Sequence, residues 1–169
     1  MDLIPPVVLF IGPSGSGKTV LVERVIARLR QEEIKVGAIK RTHHDVDLDT
    51  MGKDSWRFKE SGANPVLLAG DEMLGFIERP FGFITLASTL QFFINKADIV
   101  IVEGFKNERI KDFESFRFLF GPPFPDKAED KTGYIITVGN PDQAPGKVVF
   151  RREQADSVAL WIMRWLAAR

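Results

Sequence analysis

The chain has 169 residues, 44% apolar and 27% charged, and Lys plus Arg equals Asp plus Glu at 23 each. That length favours one domain, residues 1–169, able to bury its own core, and zero formal net charge argues against a nucleic-acid binder working through bulk positive charge. Cysteine is absent, which removes disulfide and thiolate chemistry, and no apolar run is long enough to span a bilayer, so a cytoplasmic protein is expected.

Val7 to Ile11 is a continuous apolar run between Pro6 and Gly12, the pattern of a strand buried on both faces. From Lys18 to Gln31, Leu21, Val22, Val25, Ile26 and Leu29 form one apolar helical stripe. Ile34 to Lys40 reads as a second strand and Thr42 to Met51 as a polar loop holding both histidines. Lys53 to Ser61 reads as a short helix ended by Gly62. Pro65 to Ala69 reads as a strand, with Glu72 to Glu78 pairing with a neighbour. Ile84 to Ile94 reads as one helix through Leu86, Leu90, Phe93 and Ile94. Ile99 to Val102 is the second clear buried strand, and Tyr134 to Val138 is expected to be the last central one. Phe120 to Lys131 reads as a surface loop, and Ala155, Val158, Ala159, Ile162, Trp165 and Leu166 mark a terminal amphipathic helix. This alternation predicts an α/β fold of a mainly parallel sheet with helices on both faces.

Gly12-Pro13-Ser14-Gly15-Ser16-Gly17-Lys18-Thr19 matches G-x-x-x-x-G-K-T, with the strand before it and the helix after it that the motif requires. Glycines let the backbone curl until its N–H groups face phosphate oxygens, and the helix N-terminus adds partial positive charge. Lys18 is expected at the β- and γ-phosphates and the Thr19 hydroxyl at Mg²⁺. Such a site also needs an acid at the end of a neighbouring strand. Glu103 follows Ile99 to Val102 at the C-terminal end, where ligands bind in open α/β sheets. Asp98, at the start, reads as a turn or capping residue.

Asp45, Asp47 and Asp49 alternate with Val46 and Leu48 after Lys40-Arg41-Thr42-His43-His44. One reading is a switch segment whose acid meets Mg²⁺ and whose other side chains, Thr42, His43 and His44 among them, touch nucleotide or substrate; the other is an exposed acidic strand. Zinc lacks a third His or a Cys, and a calcium loop lacks its twelfth-position Glu, because Trp56 stands there. Lys53 and Arg57 read equally as anion-binding groups or as solvated helix charges.

With these residues in view, the chain resembles the molybdopterin-guanine dinucleotide biosynthesis protein B family of P-loop GTP-binding proteins. Gly12 to Thr19, Lys40 to Asp49 continuing through Gly52 to Arg57, and Val102-Glu103-Gly104-Phe105-Lys106 carry the match. The resemblance implies a cytoplasmic homodimer that binds GTP with Mg²⁺ and hydrolyses it slowly, with Lys106 and the Thr42 to His44 segment among the ligand contacts. It also implies a supporting role in molybdenum cofactor maturation, with molybdopterin-guanine dinucleotide synthase (MobA) as partner and molybdopterin or its guanine dinucleotide as a further ligand. Gly139-Asn140-Pro141-Asp142 stands where many GTPases read guanine, but Pro141 replaces the usual lysine and Asn-Pro is a common turn signal.

The expected chemistry is in-line attack of water on the γ-phosphate, with Lys18, Asp45 and Glu103 around the triphosphate and Thr19, Asp45 or Glu103 on the metal. The acid on Mg²⁺ stays open among Asp45, Asp47 and Glu103. No arginine finger or water-positioning glutamine stands out, which predicts slow turnover. A small-molecule kinase with Asp45 or Asp47 as base, and an adaptor that binds nucleotide without hydrolysis, are the alternatives.

Overall fold

Five consecutive apolar residues, Val7–Ile11 (β1), form the strand from which the larger sheet spreads on both sides. The protein is described by a computed structural model that covers residues 4–42, 44, 46, 48–105, 115–120, 135–138, 149–151 and 153–169. The remaining elements are α1 (Lys18–Gln31), β2 (Val36–Lys40), α2 (Asp54–Glu60), β3 (Val66–Ala69), β4 (Leu74–Ile77), α3 (Leu86–Leu90), β5 (Ile99–Glu103), β6 (Ser115–Phe120), β7 (Ile135–Val138), β8 (Val149–Phe150) and α4 (Ala155–Ala167). The chain divides into two compact units, Met1–Arg41 with Thr85–Arg169, and Thr42–Ile84.

In the first unit the strands order as β2-β5-β1-β6-β7-β8, and every pairing is parallel. Side chains alternate across a strand, so β1 feeds two cores. Val8 and Phe10 pack with Leu21, Val25 and Leu29 of α1 and with Val158, Ala159 and Ile162 of α4. Val7 and Leu9 pack on the other side with Leu86 and Leu90 of α3 and with Val100, Val102 and Phe105. Helices therefore cover both faces, as expected. Each such side chain, fully buried, contributes about 1.5–3 kcal/mol.

Several elements differ from the sequence reading. The strand beside β1 is β6, which was not anticipated; its Phe118 is fully buried and stacks on Phe10 with ring centroids 4.8 Å apart. The last central strand, β7, falls within Tyr134 to Val138 as expected, and beyond it the sheet gains a short edge strand, β8, that the sequence reading lacks. The helix expected over Ile84 to Ile94 is a five-residue helix followed by a tight 3₁₀ turn at Gln91–Phe93. Thr85 caps it, with its hydroxyl accepting from Ser88 N–H at 3.1 Å while its own N–H donates to the Ser88 hydroxyl. That reciprocal cap fixes the start two residues further on than expected, and Asn95 at φ 59 ends the helical run. Strand β2 begins at Val36 rather than Ile34, and just before it the Lys35 N–H donates to Asp98 Oδ2 at 2.7 Å. Asp98 thus serves as a turn residue.

The second unit holds α2 and the antiparallel hairpin β3–β4. Gly62, at φ 98, follows α2 where the sequence placed its end. Asp49 accepts from the Ser55 hydroxyl at 2.7 Å and lies 3.9 Å from Lys59 Nζ, which fastens the segment before α2 to that helix. On the hairpin, Leu67 pairs with Phe76 and Ala69 with Leu74, so one face carries four apolar side chains that are all exposed.

Candidate functional site

The loop Gly12–Lys18 leaves β1 and turns into α1 without a side-chain cap. Gly17 occupies the N-cap position at φ 85, a left-handed conformation that L side chains resist. With no side chain capping them, the first N–H groups of α1 stay available to an anion, and the helix dipole favours negative charge there. Ser16 and Lys18 are buried, whereas Pro13, Ser14, Gly15 and Thr19 face outward. The Lys18 ammonium folds back over the loop, donating to the Pro13 carbonyl at 2.5 Å and to the Ser16 hydroxyl at 3.2 Å. Burial pulls its pKa below the usual 10.5, Glu103 opposes the shift, and the positive charge of Lys40 adds to it.

Glu103 closes β5, in register with Phe10 of β1 on one side and Lys40 of β2 on the other. The residue is buried at 7% exposure, yet both carboxylate oxygens are engaged. Thr19 Oγ1 donates to Oε2 at 2.9 Å, and Lys40 Nζ pairs with Oε1. The frame around it is stiff. Arg41 N–H donates to the Glu103 carbonyl at 2.9 Å and Gly104 N–H to the Phe10 carbonyl at 3.3 Å. Gly104 has φ 115, and a Cβ there would lie 2.7 Å from the Arg41 Cβ. The Arg41 guanidinium lies 5.7 Å from the Phe105 ring centroid, a cation–π contact at the same strand ends.

Of the residues singled out from sequence, the fold brings Gly12 to Thr19 and Glu103 together in the first unit. Thr42 and His44 belong to the second unit, where the Thr42 hydroxyl accepts from His44 N–H at 3.2 Å. His43, Asp45, Asp47, Lys106, Asn140 and Asp142 lie outside the described residues. The sequence alone gives Lys40 no role; its clue is a lysine ending the strand after α1, and only the β2–β5 register shows that it meets Glu103. Among the described residues no group of three or more His, Asp or Glu side chains could hold a metal ion. What the site offers a cation is a hydroxyl and one carboxylate, hard oxygen donors that suit Mg²⁺, an ion that fills its remaining positions with waters and substrate phosphates.

A parallel sheet whose first strand opens into a glycine loop and a helix, with an acid from the next strand meeting the first-turn hydroxyl, defines an α/β fold of the P-loop class. Within that class, the family model for "Molybdopterin guanine dinucleotide synthesis protein B" matches residues 7–139, and the chain belongs to this family. The molybdopterin-guanine dinucleotide biosynthesis adapter protein of Haemophilus influenzae is 39% identical over 136 residues, 79% of this chain and 73% of the relative. The adapter protein of Escherichia coli is 36% identical over 117 residues, 66% of each chain. A crystal structure of molybdopterin-guanine biosynthesis protein B shares 26% identity at a TM-score of 0.65, covering 95% of this chain and 99% of the other. The structure of Bacillus subtilis MobB, 22% identical, has the same fold at a TM-score of 0.64 and covers 95% and 97%.

Proposed function

We propose that this chain is a GTP-binding accessory protein of molybdopterin-guanine dinucleotide biosynthesis, with weak Mg²⁺-dependent GTPase activity, and that residues 1–169 act as one nucleotide-binding domain. The observation that carries the reading is the meeting of Thr19 with Glu103 at 2.9 Å, beside the buried ammonium of Lys18. Backbone N–H groups from Ser14 to Thr19 hold the phosphate oxygens, and Lys18 turns from the Pro13 carbonyl towards the β- and γ-phosphates. Thr19 and Glu103 would hold Mg²⁺, which would supply charge neutralisation at the phosphates; Asp45 stays a candidate acid from the sequence alone. No arginine finger or water-positioning glutamine stands out in the sequence, from which slow hydrolysis in the isolated protein is expected.

The adapter names of the relatives support a partner in the same synthesis, and we assign that place to molybdopterin-guanine dinucleotide synthase (MobA), in the cytoplasm. Thr42, His43, His44 and Lys106 remain our candidates for contacts to nucleotide or to the pterin. The exposed apolar face of β3–β4, with Leu67 at 62% and Leu74 at 70% exposure, supports a homodimer.

The test is GTP turnover by the purified chain, alone and with the synthase, with phosphate release and product nucleotide both followed. Slow Mg²⁺-dependent release of phosphate to water supports the reading. Fast transfer to a small-molecule acceptor would replace it with a kinase, and binding with no turnover even in the complex would make the protein an adaptor alone.

A further inference from the structure

Lys40 and Glu103 end neighbouring parallel strands and are register partners, so their side chains leave the sheet on the same side. Their surroundings are unequal: the Lys40 side chain is 59% exposed and that of Glu103 9%. The ammonium can return to water on its flexible stem, whereas the carboxylate is held in place by its strand and by the Thr19 hydroxyl at 2.9 Å. Lys40 Nζ sits on Oε1 of the very carboxylate whose Oε2 faces that hydroxyl. Lys18, bonded to the Pro13 carbonyl and the Ser16 hydroxyl, lies close enough to feel both Glu103 and Lys40, so two ammonium groups stand near one carboxylate, with only Lys40 paired to it. A divalent cation added to that cluster meets an excess of positive charge that only an incoming polyanion relieves.

We propose that Lys40 competes with the divalent cation for Glu103, so that the cation enters the site only together with the triphosphate, as Lys40 leaves the carboxylate. The inference rests on the nucleotide-binding reading above. The pairing makes bare Mg²⁺ a poor ligand and makes nucleotide affinity steeply dependent on the cation. Lys40 is then a positioning residue that acts through Glu103.

The experiment is titration of Mg²⁺ into a fixed, sub-saturating concentration of the fluorescent analogue mant-GTP with the full-length chain, and separately mant-ATP. Lys40→Met and Lys40→Gln should both reach half-saturation at least about tenfold lower Mg²⁺ than the unmodified chain. Lys40→Arg, which keeps the charge, should keep the original midpoint. In a Glu103→Gln background the Lys40→Met shift should vanish, which a merely structural role for Lys40 would not produce. An unchanged or raised midpoint in both neutral variants, or a shift that persists without Glu103, overturns the inference while leaving nucleotide binding intact. Failure of the unmodified chain to bind either analogue at any Mg²⁺ concentration overturns both the inference and the functional reading.

Discussion

Replacement of Phe118 by alanine tests the part of the fold that the sequence concealed. The side chain is fully buried, stacks on Phe10 at 4.8 Å and meets the Trp161 ring edge-on at 6.3 Å. Truncating a phenylalanine in such a site costs about 3–5 kcal/mol, the lost transfer free energy plus the cavity left behind. For a chain of this length each kcal/mol lowers Tm by about 2–4 °C, so the variant should melt roughly 6–20 °C lower. Total stability of a domain is only about 5–15 kcal/mol, so urea denaturation in the cold is the sound assay. A double-mutant cycle of Phe10→Leu with Phe118→Leu should add a coupling of about 0.5–1.5 kcal/mol from the ring pair. A loss below about 1 kcal/mol for Phe118→Ala, typical of surface sites, would refute both the burial and the placement of β6 beside β1.

Gly104→Ala forces a side chain into a positive-φ position and against Arg41; it should cost upwards of about 1–2 kcal/mol and weaken GTP binding by moving Glu103, as urea denaturation and calorimetry will show. Thr85→Ala removes the cap of α3 and should lower stability by about 1 kcal/mol with nucleotide affinity unchanged. Lys18→Met removes a buried charge and should abolish GTP binding while stability is kept or raised. The pH dependence of the parent chain follows from the same group. Because the folded-state pKa of Lys18 lies below 10.5, the unfolded chain binds more protons between the two values, so this residue makes stability rise with pH in that window while GTP binding falls. Urea midpoints across the alkaline range should lose this component in Lys18→Met, and an identical profile in the two proteins would contradict it.

Legibility followed burial pattern. Strands β1 and β5 are unbroken apolar runs because they are central and covered on both faces, and α1 and α4 show clean helical stripes because one side of each faces the core. Strand β6 is equally central, yet Ser115 and Arg117 interrupt its phenylalanines, a mixed pattern that periodicity assigns to no buried strand. The late start of α3 came from the hydroxyl cap at Thr85 and its early end from the tightening at Gln91–Phe93, neither of which an apolar stripe reports. At the site, the loop was legible because its chemistry is local, and Glu103 because it ends a buried strand. Lys40 was not, since its role depends on strand register, which brings together residues 63 positions apart.

The measurement that tests the central claim most directly is calorimetric titration of the purified protein with GTP and with ATP, each with Mg²⁺. The account predicts that GTP binds at least about tenfold more tightly, a difference of about 1.4 kcal/mol. Equal or stronger binding of ATP would contradict it.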